Sequence, residues 1–308
     1  MDLALITLEQ VGILFLLIFI GFAGVKTKII QPESKKVFSS FLVSVVMPMV
    51  ILNSYMSEFD PDVFINLAWS FVFSTVVMVV GFILTFLFMM KSKSKNKAIL
   101  MFGSMFSNSV YMGFPLIQAL FGTEGMLYTS AFVTMFNVFV WTIGYVVVSG
   151  KPFGKEVLKN VVTNPVLISI GVGLVIYLGQ IPIPEIVKQP ISLVANMNTS
   201  LSMIIIGMVI ASSNMKQIVT SGEVWLLLLR RLIVIPAICF VLFYVLGISG
   251  MVANVVLILQ ACPTAAITSV FAIQFNHNEN LAAGAVVLTT LCSIVTLPVF
   301  AMLLTMLV

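Results

Sequence analysis

Long apolar runs separated by short polar breaks recur along the whole chain, and they leave few folds open. Hydropathy read together with turn and charge breaks places ten candidate spans at 5–25, 36–55, 64–90, 98–120, 125–149, 161–179, 189–213, 223–247, 252–275 and 280–307 of the 308 residues. A helix that crosses the roughly 30 Å hydrocarbon core of a bilayer needs about 20 apolar residues. Ten of them with short connections use most of the chain and leave little for a soluble domain. Composition points the same way: 60% of residues are hydrophobic and 8% charged, against about 25% charged in soluble domains. The expected fold is an all-α polytopic membrane protein whose solvent is a lipid bilayer.

The charged residues report topology. Lys and Arg gather in cytoplasmic loops, and here the first, third, fifth and seventh loops hold Lys26, Lys28, Lys35, Lys36, Lys91, Lys93, Lys95, Lys97, Lys151, Lys155, Lys159 and Lys216. The opposite side has Lys188 against Asp2, Glu9, Glu58, Asp60, Asp62, Glu124 and Glu185. A miscounted span would reverse the sign of every later loop, so this asymmetry favours ten spans in the cell membrane with both termini outside. The basic residues therefore give no reason to expect a nucleic-acid partner. Acidic Asp2 and Glu9 ahead of the first apolar run argue for a retained span and against a cleaved signal peptide. Cys239, Cys262 and Cys292 all lie inside apolar runs, where a free thiol behaves as a small hydrophobe.

Ten spans with an outside N-terminus allow two five-helix halves, 1–150 and 151–308, inserted in opposite orientations, a common transporter plan. The fourth and ninth spans carry the motifs. Phe106-Ser107-Asn108-Ser109 precedes Gly113-Phe114-Pro115 in the fourth, and Gln260-Ala261-Cys262-Pro263-Thr264 lies within the ninth. At about 1.5 Å per helical residue, Asn108 lies roughly 16 Å beyond Lys97, and Pro263 sits about as far from Met251, near half the core thickness. Proline removes a backbone donor, while Asn and Thr favour helix starts. Second half-helices are expected to begin near Ser109 and Thr264, with Pro115 as a further kink. Their unpaired N–H groups would attract an anion, and the C-terminal ends of the first half-helices would suit a cation.

At these residues the sequence resembles the auxin efflux carrier family, whose bacterial members include malate and malonate permeases. Ser107-Asn108-Ser109-Val110-Tyr111-Met112-Gly113-Phe114-Pro115-Leu116 is similar to the family's fourth-helix motif, and Gln260-Ala261-Cys262-Pro263 with Val270-Phe271-Ala272 to its ninth-helix motif. Pro48, Asn164-Pro165 and Arg231 with Pro236 are weaker matches in the same order. The resemblance implies ten helices in inverted repeats with helices 4 and 9 crossed. It also implies a scaffold of helices 1, 2, 6 and 7, a transport domain of helices 3–5 and 8–10, elevator-type movement and a homodimer. Family substrate contacts carry over at Asn108, Pro263 and Thr264. Ser107 stands where plant members often have proline, and Thr264 where they have a larger polar residue, both of which count against auxin itself as the substrate.

The candidate substrate-binding residues are thus Ser107, Asn108, Ser109, Gly113, Pro115, Gln260, Pro263 and Thr264, joined by Asn53 in the second span and Asn198 in the seventh. Arg230 and Arg231 fall inside the eighth span and either snorkel to the inner surface or face a cavity and attract an anion. His277 and Glu223 read as solvated. No motif for an intramembrane hydrolase or a nucleotide-driven pump occurs, and no cofactor or metal ligand set is evident. The leading expectation is a secondary transporter for a small organic anion and not an enzyme. Alternatives are a sodium-coupled carrier of the bile-acid-symporter type and a channel or sensor on the same fold.

Overall fold

The computed structural model describes residues 3–57 and 60–304; Asp2 and Glu58 of the loop comparison lie outside the described residues. All regular elements among them are helices: α1 (Leu3–Lys26), α2 (Ser34–Tyr55), α3 (Pro61–Met90), α4 (Lys97–Met105), α5 (Ser109–Ser149), α6 (Lys155–Val162) and α7 (Pro165–Gly179) come first. They are followed by α8 (Glu185–Ala211), α9 (Met215–Val219), α10 (Gly222–Val245), α11 (Met251–Ala261), α12 (Ile267–Gln274) and α13 (Glu279–Leu304). Seven of these, α1, α2, α3, α5, α8, α10 and α13, are long and apolar enough to cross a membrane, and α7 and α11 are shorter apolar helices.

Local chemistry sets several boundaries. Asp60 caps α3, its carboxylate accepting from the Asp62 and Val63 amides at 2.8 and 3.3 Å, with Pro61 in the first turn where no donor is needed. Asn164 does the same for α7, accepting from Val166 at 2.9 Å and Leu167 at 3.3 Å ahead of Pro165. The sixth predicted span therefore starts at Pro165, and the polar stretch before it forms the separate helix α6.

Widened π turns occur at Leu42–Val46, Ser109–Gly113, Val140–Gly144 and Arg230–Val234. Three of the four end two residues before a proline, at Pro48, Pro115 and Pro236. A proline ring clashes with the carbonyl four residues back and cannot bond to it; one wide turn moves that carbonyl aside and lets the helix run on. At Pro115, where a kink is expected, the disturbance takes the form of such a wide turn, and the backbone stays helical from Gly113 through Phe114. The chain breaks instead at Gly122, whose φ of 61° and ψ of −149° suit only glycine.

Much of the apolar surface faces outward. Only 28% of the most apolar window of α1, and the same share of α3, is buried, and Leu16, Phe19, Trp69 and Val245 are each more than half exposed. In water such a surface would aggregate, so the chain is a multi-pass membrane protein with lipid against these faces. Between helices, lipid supplies no hydrophobic drive, and small residues allow close backbone approach instead. Gly21 of α1 and Gly207 of α8 do this: a Cβ on Gly21 would lie 2.1 Å from the Ile204 carbonyl oxygen, and one on Gly207 would lie 2.0 Å from that of Ile18. Gly173 of α7 packs as closely on the Tyr55 ring of α2, where a Cβ would meet Cδ2 at 2.6 Å. The first half of α8 also rests on α2, and α1 runs along α13 as well as α8.

Candidate functional site

Two interrupted helices meet at one point. After Met105, Phe106 turns extended (φ −97°, ψ 122°), and after Ala261, Cys262 does likewise (φ −58°, ψ 153°). Ser107 and Thr264 then pair as an antiparallel bridge. The Asn108 amide donates to the Pro263 carbonyl at 2.6 Å and the Ala265 amide to the Phe106 carbonyl at 2.9 Å. Two short extended segments thus bond to each other where helical bonding stops, as buried backbone requires. One helical restart is at Ser109, as the sequence suggests. The other is at Ile267 and not Thr264, because pairing with Phe106 and Ser107 holds residues 262–265 extended.

Small residues permit the approach. A Cβ on Gly113 would lie 2.5 Å from Leu259 Cδ2, and one on Gly103 would lie 2.9 Å from Leu227 Cδ1 and 3.3 Å from Thr264 Cγ2. Gly113 and buried Pro115 thus shape the site and offer no polar side-chain group to it. Thr264 spends its polar groups on neighbours, its hydroxyl donating to the Gly103 carbonyl at 3.1 Å and its amide to Thr289 Oγ at 3.0 Å. Thr289 in turn donates to the Ala285 carbonyl at 2.6 Å. Sequence reasoning missed Thr289; its signal was the Thr289-Thr290 pair in the middle of an apolar span. Thr264→Val, which keeps the shape and removes one hydroxyl bond, is expected to lower stability by about 1 kcal/mol, a fall of a few degrees in melting temperature.

Other groups at the crossing are buried and unpaired. Ser107 Oγ, Asn108 Nδ2, Ser109 Oγ, both amide atoms of Gln260 and the Thr268 and Thr290 hydroxyls have no partner, although Ser107, Ser109 and Gln260 are fully inaccessible and Asn108 is 2% exposed. The Gln260 amide points toward Gly81 of α3, 3.4 Å from where a Cβ would stand. Asn108 does not cap the helix that follows it, so the first N–H groups from Ser109 onward lack an intrahelical acceptor. This turn also borders the other helices. The second half of α8, which carries Asn198, packs on Ser109–Gly113. Asn198 is buried with its Oδ1 unpaired, while Asn53 is half-buried in the last turn of α2.

Arg231 follows neither of its two sequence readings, reaching neither the inner surface nor an open cavity. It is fully buried, and its Nη1 donates to the Ser104 and Met105 carbonyls at 3.2 and 2.8 Å while Nη2 donates to the Gln260 carbonyl. Those carbonyls end α4 and α11, so the place expected to suit a cation holds a guanidinium. Arg230 takes the peripheral role, 5.4 Å from the Phe88 ring centroid and 3.8 Å from Met89 Sδ near the end of α3. Glu223, read as solvated, accepts from Asn96 Nδ2 at 2.7 Å and from the Ser94 hydroxyl, tying the Lys91–Lys97 loop to the start of α10. Glu223→Gln is expected to leave the fold intact and to raise hydrogen exchange across residues 91–97. His277, also read as solvated, is half-buried with Nε2 2.8 Å from the Val148 carbonyl.

Helices that break inside the apolar core and exchange backbone bonds there define a class of membrane protein built around an internal polar site. Residues 6–301 match the family described as "Membrane transport protein", the family of the auxin efflux carriers, and the chain belongs to it. An uncharacterized transporter of Methanocaldococcus jannaschii is 24% identical over 305 residues, covering 95% of this chain and 97% of that protein. Another, from Methanothermobacter thermautotrophicus, is 24% identical over 199 residues, or 64% of this chain and 65% of that one.

Proposed function

We propose that this membrane transporter is a secondary carrier of a small organic anion, a carboxylate such as malate, malonate or an auxin-like acid, and that the anion binds at the helix crossing. One observation carries the reading: three consecutive side chains, Ser107, Asn108 and Ser109, hold unpaired polar atoms beside the open first turn of α5, at a crossing where the two extended segments bond to each other. An unpaired buried polar group costs about 1–3 kcal/mol, so such a cluster is sustained by what it binds. Two hydroxyls, one amide N–H pair and the first N–H groups of α5 are donors, the complement of a carboxylate. Thr264, Pro263, Gly113 and Pro115 set the geometry in this reading, and Gln260 and Asn198 extend the polar lining.

The same proposal places ten crossings in the cell membrane with both termini outside. The fourth is α4 with α5 up to Gly122, the fifth is the rest of α5, and the ninth is α11 with α12. Residues 1–150 and 151–308 are then inverted halves. The glycine contacts of α1 with α8 and of α7 with α2 support a scaffold of these four helices, against which the remainder moves as an elevator within a homodimer. Counterflow in proteoliposomes against malate, malonate, short monocarboxylates and indole acetate is the test. Accelerated exchange of at least one of them is expected, and exchange of none, with unitary currents in its place, would support a channel.

A further inference from the structure

Arg231 sits at the one point where both first half-helices end, and its surroundings are unusual for an arginine. No carboxylate accompanies it in the hydrogen bonds it makes; its acceptors are the backbone oxygens of Ser104, Met105 and Gln260. These are orphan carbonyls of helix ends, each end carrying up to about half a negative charge in the macrodipole picture. Oxygens converging from broken helices are also what a hard metal cation takes as ligands. We propose that Arg231 is a built-in substitute for a coupling cation, so that this carrier works without sodium and is selective for anions.

Charge balance at the crossing links sodium independence to anion selectivity. Two C-terminal ends contribute up to about one negative charge, and one guanidinium cancels it. The first turns of α5 and α12, the positive ends at the same crossing, are then left unopposed, up to about one positive charge in total. An empty carbonyl site would instead demand a metal ion before an anion could bind. The wide turn ahead of Pro236 carries Arg231, and the guanidinium Nε is buried without a partner.

The inference rests on the transport reading for its functional meaning, but melting experiments on the purified full-length protein in detergent test it without any substrate. Wild type is expected to melt at the same temperature in sodium, potassium and choline chloride of equal ionic strength. Arg231→Ala, which leaves three carbonyls bare, should melt roughly 5–15 °C lower and recover part of that loss with sodium or dilute guanidinium but not with choline. Saturable stabilisation of wild type by sodium would overturn the proposal, as would an Arg231→Ala protein that melts like wild type or ignores added cations. If Arg231→Ala cannot be recovered folded, Arg231→Lys replaces it: indifference to sodium supports a tethered charge, and sodium stabilisation contradicts it. Failure of counterflow with unchanged melting results would count against the transport reading alone.

Discussion

Gly207→Leu is expected to abolish recovery of folded protein, and Gly207→Ala to lower its melting temperature sharply. The reason is backbone geometry. The first side-chain carbon would fall 2.0 Å from the Ile18 oxygen and 2.7 Å from the Phe22 nitrogen, and neither can swing away as a side chain would. Relief requires α1 and α8 to separate along the crossing that contains Gly21 and Ile204, which empties a packed interface. Overpacking a core ordinarily costs about 1–3 kcal/mol; a backbone clash at this distance belongs above that range. Gly171→Ala is the control. It has nothing within 4 Å of the added carbon, and in mid-helix alanine is favoured over glycine by about 1 kcal/mol, so its melting temperature should hold or rise. Size-exclusion profiles and thermal melts of the three variants compare the cases directly.

Asn108→Ala should leave folding nearly intact and weaken anion binding by about 10–100-fold, the loss of one hydrogen bond to a charged group. The side-chain nitrogen has no partner in the protein, so removing it breaks no internal bond, and the backbone amide that holds Pro263 stays in place. The two effects separate cleanly from those of Thr264→Val, where a bond within the protein is lost and the unpaired donors remain. A melting curve near that of wild type with exchange reduced at least tenfold is the expected pair of results. Equal exchange in wild type and Asn108→Ala would remove Asn108 from the site.

The shared level of the two interruptions is legible in the sequence through depth arithmetic and residue type, while their crossing is what the family resemblance implies. Counting 1.5 Å per residue from Lys97 and from Met251 puts Asn108 and Pro263 at one level, and these residues do exchange a hydrogen bond. The same count from Gly222 puts Arg231 about 13 Å along its helix, at the level of the crossing. Its charge nevertheless leaves open a place at the membrane surface, and no local pattern says that a guanidinium will find three carbonyls on two other segments. The restart at Ile267 is hidden for a similar reason. Thr264 is a good helix starter by type, but pairing with Ser107, a residue more than 150 positions away in the chain, keeps it extended. Gly21 and Gly207 look like ordinary span glycines, because close packing depends on which faces meet. The π turns ahead of Pro48, Pro115 and Pro236 are half legible: the proline marks the disturbance, while its form as a wide turn is not written in the residue type.

A second polar recess competes with the crossing as a place for the anion. It is a cavity of about 420 Å³ lined by Tyr55, Ser57, Gln180 and Lys188 between α2, α7 and the start of α8. Its lysine would hold a carboxylate at an exposed position beside the Tyr55, Ser57 and Gln180 side chains, whereas the crossing offers oriented donors in a buried setting. Determining the structure with the anion that proves active in counterflow decides between them. Density for that anion is expected within hydrogen-bonding distance of Asn108 Nδ2 and the Ser107 or Ser109 hydroxyl; density confined to the recess beside Lys188, with the crossing unchanged, would place the site elsewhere.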